Sequence, residues 1–257
     1  MRAQRLQEIA EFINHQDVVS FSILCNRFKT STATMRRDLR DLDQQGLIRR
    51  VHGGAHSVHN GKQHVFEAPY QRRLVLHVEE KKRIAKEALK LIHDNDVIIL
   101  DATTTTCELA NLLAMSNLKI MVITNDLYIG CLLQEHQNIE LLMIGGLVRS
   151  SFYSTKGVFA EHMLDQLNAD KLFMGADGVH PDNGIRIFHV DEINIKRRML
   201  ASSRERYLLC DHTKFTESAV LQVCPADEVN CIITDNKLDD DLIAPFEKYR
   251  DLKIIKA

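Results

Sequence analysis

The sequence predicts an α/β protein: a small basic head of three helices and a β-ribbon, then an open, mainly parallel sheet covered by helices. Three observations carry that prediction. Residues 1–57 hold nine Lys and Arg against six Asp and Glu, while the rest has five more acids than bases, giving −2 overall. From Val97 to the C-terminus, short apolar runs (VIIL, KIMVIT, IELLMIG, KLFMG, YLLC, NCIIT, LKIIK) alternate with helical patterns. The runs are nearly continuous in Val, Ile and Leu, as strands covered on both faces are, and the helical stretches between them imply βαβ crossovers.

Composition sets the frame. A chain of 257 residues has room for about two domains. Hydrophobic content of 45% and charged content of 26% describe a globular protein with a sizeable core. No apolar run reaches the ~18 residues of a membrane span, so no membrane partner is expected. MRAQRLQEIAEFI scatters charges where a signal peptide would carry an apolar block. The six cysteines (Cys25, Cys107, Cys131, Cys210, Cys224, Cys231) form no CxxC pair, and several sit inside apolar runs. Reduced, buried thiols in a cytoplasmic protein are expected, with no disulfide, metal or cofactor.

In the head, Leu6, Ile9, Ala10 and Ile13 recur at helical spacing and give the first helix. DVVS breaks the pattern. SILCNRF (Ser22 to Phe28) is a short second helix with a serine at its start, KTS a turn, and TATMRRDLRDLDQQG the third helix. Ser31 is placed to cap it, Met35, Leu39 and Leu42 share one face, and Gly46 stops it. Two helices joined by a tight turn, the second rich in arginine, make a helix-turn-helix. Its outward face carries Thr32, Thr34, Arg36, Arg37 and Arg40 behind Ser31. In this motif the start of the second helix enters the major groove. There arginine meets guanine edges or phosphates, and threonine meets phosphates or thymine methyls. The competing account is a solvated face of alternating charge, with Arg37 and Asp41 paired four residues apart. LIRRVHGGAH then turns at Gly53-Gly54 as a β-wing, laying Arg49, Arg50 and His52 along the phosphate backbone. The expected partner is double-stranded operator DNA.

Residues 58–75 lose all period and include Gly61 and Pro69, which reads as a linker between a head of 1–57 and a domain of 76–257. A helix begins near Leu76, with Ile84, Ala85, Ala88, Leu89 and Ile92 on one side. In open parallel sheets ligands bind at the carboxyl ends of the strands, and polar clusters fall there. VIIL is followed by Asp101, Thr103, Thr104 and Thr105; KIMVI by Thr124 and Asn125; IELLMI by Gly145, Gly146 and then Arg149. KLFM is followed by Asp177, and YLLC by Asp211 and Lys214, while Glu192 and Lys196 lie on the helix between. The threonines would stand at a helix N-terminus, where open amides and the dipole favour an anion, although one or two would simply cap it. Lys196, Lys214 and Arg149 supply positive charge. Asp101, Asp177, Glu192 and Asp211 can accept from sugar hydroxyls or hold those cations. A phosphorylated sugar fits this balance better than a nucleotide or a fatty acid.

TMRRDLRDLDQQGLIRRVHGGA, ILDATTTT, VITND, IGGLVR, FMGADGV, EINIKRRM and CDHTKF together resemble the DeoR family of bacterial transcription regulators over nearly the whole chain. The resemblance implies a winged helix-turn-helix and a sensor domain of the ribose-5-phosphate isomerase fold. It also implies a phosphorylated sugar or related metabolite as effector, and repression of a carbohydrate-utilisation operon relieved by it. The family's loop usually reads Asp-Ser-Gly-Thr-Thr, whereas this chain has Ala102 and Thr103 in the second and third places. Losing the glycine removes backbone freedom for close approach to a phosphate, which implies a displaced or different ligand.

A sugar-phosphate isomerase with an appended head is the alternative, with Asp177 or Glu192 as base and Lys214 as polarising cation. The head argues against it, since an isomerase has no use for one. His180, His189 and His212 lie near strand ends without HxxxH or HExxH spacing, which argues against a metal site. One head offers few base contacts, so a homodimer or larger is expected, joined through the α/β domain.

Overall fold

The structure, a computed structural model, describes residues 2–16, 18–51, 53–56, 70–217 and 219–257. His52 and most of the expected linker lie outside them. The described residues divide into two compact units: those up to 56 with Gln71–Leu76, and Tyr70 with His77–Ala257.

In the first unit α1 (Arg2–Gln16), α2 (Phe21–Arg27) and α3 (Thr32–Gln44) share one core. Ile9, Ala10 and Ile13 on α1 and Met35, Leu39 and Leu42 on α3 are all buried, because three- and four-residue spacing gives each helix one dry face. The Ser31 hydroxyl accepts from the Thr34 amide at 3.2 Å, and Gly46, at φ +68°, ends α3 in the left-handed conformation. β1 (Val18–Ser20), β2 (Arg49–Val51) and β3 (Gly54–His56) form an antiparallel sheet in the order β1-β3-β2. β2 and β3 are the wing that the sequence predicts. β1 is where DVVS reads only as a break, since three residues are too few for alternation to register. The cap of α2 also differs: Ser20, not Ser22, takes that place, its hydroxyl 3.5 Å from the Ile23 amide. α4 (Tyr70–Val75) makes helix of the end of the expected linker, with Val75 packed on the head's core. Six residues are too short a stretch to show a helical period.

The second unit runs α5 (Val78–Leu89), β4 (Val97–Leu100), α6 (Thr104–Ala114), β5 (Ile120–Thr124), α7 (Leu127–Leu133), β6 (Ile139–Met143), β7 (Leu147–Val148), β8 (Thr155–Lys156), α8 (Val158–Leu164) and β9 (Ala169–Met174). It continues through β10 (Gly178–His180), β11 (Gly184–Ile187), α9 (Val190–Ala201), β12 (Ser203–Leu209), β13 (Leu221–Cys224), β14 (Cys231–Thr234), α10 (Asp240–Ile243) and β15 (Lys253–Lys256). Seven strands form one sheet in the order β15-β14-β12-β9-β4-β5-β6. Every neighbouring pair is parallel. These are the seven apolar runs of the sequence. Ile98, Ile99, Leu100, Val122, Leu172, Phe173, Leu208 and Ile232 are buried, each burial stabilising by about 1.5–3 kcal/mol. Strand order reverses between β4 and β9, which opens a crevice at their carboxyl ends. A β7–β8 hairpin and a small antiparallel sheet, β10-β11-β13, complete the unit. Among the described residues no helix is long and apolar enough to cross a membrane.

Candidate functional site

The arginine face of α3 owes its freedom to one buried acid. Asp38 is 1% exposed and accepts from Arg5 Nε of α1 at 2.9 Å, so it serves the interior and leaves the neighbouring arginines uncompensated. Among the described residues no ion pair is made by Arg37, Arg40, Arg49 or Arg50, all four of them exposed. Arg36 is exposed and lies 5.7 Å from the centre of the Phe21 ring, a cation–π placement that aims it. Ser31 and Thr34 bond to each other, Oγ to Oγ1 at 2.9 Å, and hold the first turn of α3; Thr32 is exposed. The Arg50 amide donates to Asp43 at 3.1 Å, tying β2 to the end of α3. His52, expected beside these arginines, lies outside the described residues.

The second site is at the reversal of strand order. Asp101 leaves the end of β4 buried, and its Oδ2 accepts from the Gly175 amide beyond β9 at 3.0 Å. Lys196 of α9 donates to the same oxygen and, at 3.1 Å, to the Gly175 carbonyl. Burial alone would lower the Lys196 pKa, but the carboxylates of Asp101, Glu192 and Asp177 outweigh it and hold the ammonium above its ordinary value. Asp177 also accepts from the Phe188 amide at 3.0 Å. Arg149 pairs with Glu192, which accepts from Ser154 as well, and stacks 4.2 Å over the Phe152 ring.

The threonines divide into two pairs. Thr103 and Thr106 form a capping box, each hydroxyl accepting from the other's amide. Thr103 is therefore used by the helix. Thr104 and Thr105 are the next two residues, and neither their amides nor their hydroxyls have a partner among the described residues. Four donors open at the start of an eleven-residue helix, on its positive end, suit an anion.

At the end of β12, Asp211 accepts from Thr213 at 3.0 Å. Burial would raise its pKa, yet Lys214, His77 and Lys81 together with the Thr213 hydrogen bond bring it to about 2. Lys214 donates to Glu217 at 3.0 Å; burial pulls its pKa down, but Asp211, Glu217 and Asp177 hold it above the ordinary value. His77 and Lys81 are not apparent from the sequence as members of this cluster. The His77 ring meets the His212 ring at 5.6 Å, and burial, partly offset by Asp211, lowers its pKa. Lys81 is 4% exposed in the same register as Ile84, Ala85 and Ala88. A lysine in the buried phase of an amphipathic helix is the signal that could have found it.

Three of the expected residues stand elsewhere. Thr124 is fully buried, and its hydroxyl donates to the Leu100 carbonyl at 2.7 Å and accepts from the Asp126 amide at 3.1 Å. It fastens β5 to β4. Gly145 and Gly146 line an apolar groove of about 520 Å³ with Leu147, Phe159, His162, Met163 and Gln166. Asn125 keeps one amide bond, to the Thr155 carbonyl at 3.1 Å, while its buried Oδ1 has no partner among the described residues. Among the described residues no three His, Cys, Asp or Glu are grouped to hold a metal.

Asp126 gives a pH test of this framework. Its carboxylate caps α7 through the Tyr128 and Ile129 amides at 2.7 and 3.1 Å and accepts from Tyr70 at 3.2 Å. Burial nevertheless pushes its pKa up to about 6, against roughly 3.9 when unfolded. A carboxyl raised in the folded state favours folding while protonated, and that contribution is lost as pH rises through about 6. Between pH 4 and pH 7 the stability of Asp126→Asn relative to wild type should therefore shift by up to ~3 kcal/mol in the variant's favour. Urea unfolding at several pH values measures it, and a pH-independent difference would refute it.

Comparison with known proteins identifies both parts. Residues 5–61 match the DeoR-like helix-turn-helix domain, and residues 76–236 the DeoR C terminal sensor domain. HTH-type transcriptional regulator IolR of Bacillus subtilis is 34% identical over 94% of this chain and 94% of its own length. The L-fucose operon activator of Haemophilus influenzae is 30% identical over 96% of this chain and 97% of its own. A solved D-ribose-5-phosphate isomerase with bound phospho-erythronic acid is 25% identical over 53% of each chain, at a TM-score of 0.39, too partial a likeness to say what this chain binds. Free arginines on a recognition helix and wing, a polar crevice at a sheet's switch point and both domain matches agree: the chain belongs to the DeoR family of transcriptional regulators and is no isomerase.

Proposed function

We propose that the protein is an operator-binding repressor of a carbohydrate-utilisation operon in the cytoplasm. It acts as a homo-oligomer and is controlled by a phosphorylated sugar or a closely related metabolite. The observation that carries this is the open N-terminus of α6. The unpartnered amides and hydroxyls of Thr104 and Thr105 suit a phosphate. Lys81, Lys196 and Lys214 supply charge, and Asp101, Asp177 and Asp211 suit hydroxyls along a sugar. Thr103 and Thr124 support the loops from behind. Arg149 and Glu192 form the wall beside Lys196, and Asn125 Oδ1 is a further acceptor with no partner among the described residues. One relative is named for an L-fucose operon, in keeping with a sugar signal; that relative is an activator, so the sign of control here is part of the proposal.

Thermal shift against a panel of sugar phosphates and the matching free sugars tests the reading. A ligand at ~100 times its Kd adds about 2.7 kcal/mol to folded stability, so at least one sugar phosphate should raise the melting temperature by several degrees. Equal responses to a free sugar and its phosphate, or no response to any phosphate, would overturn it.

A further inference from the structure

We infer that the β7–β8 hairpin and the start of α8 form a twofold contact with a second copy of this chain. The inference rests on the homo-oligomeric reading above and names the surface. Leu147 and Val148 on β7 are 69% and 56% exposed, and Val158 and Phe159, which open α8, are 65% and 79% exposed. They are contiguous, because β7 pairs with β8 and only Gly157 separates β8 from α8. Four apolar side chains exposed to this degree leave on the order of 400 Å² in water. That is about half of the ~800 Å² one partner contributes to an interface of standard size.

The occupant follows from shape and charge. Phe159 stands exposed at the rim of a groove of about 520 Å³ that it lines together with Gly145, Gly146, Leu147, His162, Met163 and Gln166. The floor is kept low at Gly146, where a Cβ would stand 2.5 Å from the Lys156 carbonyl. An exposed ring at the rim of an apolar groove suits an isologous contact, in which the Phe159 rims of two copies pack across each other's grooves. No formal charge lines the groove. Glu161, the carboxylate of α8, is turned to Arg198 of α9 at 3.3 Å, and Lys156 of β8 is paired with Asp191. A surface without charge suits neither the phosphates of DNA nor an anionic metabolite. Beyond residue 57 the chain has five more acids than bases, so two copies meet most favourably through such a neutral face. A regulator whose single head reads one half-site also needs that second copy.

Light scattering and sedimentation velocity of the full chain test this with two independent variants. Phe159→Asp removes the ring. Gly145→Leu fills the groove, and a Cβ there meets nothing nearer than Met163 Sδ at 4.0 Å. Each should halve the assembly mass, or raise its dissociation constant roughly tenfold or more, with an unchanged circular dichroism spectrum. An oligomeric wild type whose two variants keep full mass would overturn this surface and leave the oligomeric reading intact. A monomeric wild type would overturn both. Unchanged mass together with lost repression would assign the face to another protein and refute the second-copy occupant. Should Phe159→Asp fail to fold, Val158→Asp on the same exposed turn gives the same decision.

Discussion

Arg36→Ala and Arg37→Ala are each expected to weaken operator binding by about 1–3 kcal/mol, while Arg49→Ala weakens binding to every DNA sequence alike. The difference comes from what each side chain can reach. α3 starts at a turn fixed by the Ser31–Thr34 hydroxyl pair and is anchored from behind by Arg5 and the buried Asp38. A helix held in this way presents the residues of its first two turns at a fixed depth in the major groove. Arg36 is aimed by its place over Phe21, and no acid among the described residues pairs with Arg37. Losing a guanidinium that grips a guanine edge removes discrimination between sequences. Arg49 lies on β2, exposed and with no ion pair among the described residues, where phosphates are the expected partners. Its loss should lower the slope of log affinity against log salt by about one and leave the ratio of operator to random DNA unchanged. Anisotropy titrations on operator and random duplexes at several salt concentrations separate the two cases. If neither α3 variant changed operator affinity at fixed salt, α3 would not be the reading helix.

The sheet is legible in the sequence because its seven strands are covered on both faces, which leaves continuous apolar runs with little else to be. β1, β7 and β8, of only two or three residues, are not, since neither alternation nor a helical period can establish itself over so short a length. The site is legible where chemistry and position coincide. Asp101, Asp177 and Asp211 follow apolar runs and meet near the reversal of strand order, with Lys196 and Lys214 between them. Thr124 follows such a run equally well, yet its hydroxyl is taken by a neighbouring strand. One sequence has no way to distinguish a hydroxyl that faces a crevice from one that bridges two strands. Gly145 and Gly146 mark a strand end, but what they floor is an apolar groove. His77 and Lys81 escape notice for the opposite reason: they sit where the pattern announces only an amphipathic helix.

The division of the threonines makes the effector prediction sharper than one about the loop as a whole. Thr104→Val and Thr105→Val should each weaken effector binding by about 1.5–3 kcal/mol, the worth of a hydrogen bond to a charged group. Operator affinity of the ligand-free protein should stay nearly intact, because both residues belong to the second unit. Thr103→Val is the contrasting control. Its hydroxyl completes the capping box of α6, so its loss should lower folding stability by about 1 kcal/mol with a smaller direct effect on affinity. Lys214→Ala should weaken effector binding as the Thr104 and Thr105 variants do, since its side chain is partly exposed and Glu217 can turn to water. It should also lower folding stability, because the buried Asp211 loses the cation that does most to hold its pKa down. Lys196 is unsuited to the same test. Removing it would strand the buried Asp101 carboxylate without its cation, a change that costs about 3–5 kcal/mol of stability in comparable buried pairs. Calorimetry with the sugar phosphate that gives the largest thermal shift, paired with anisotropy on operator, reads both quantities for each variant. In cells the Thr104, Thr105 and Lys214 variants should keep repressing when the sugar is supplied. Normal ligand affinity in Thr104→Val and Thr105→Val would place the anion elsewhere than the start of α6, and joint loss of ligand and DNA binding would make these threonines structural, as Thr103 is.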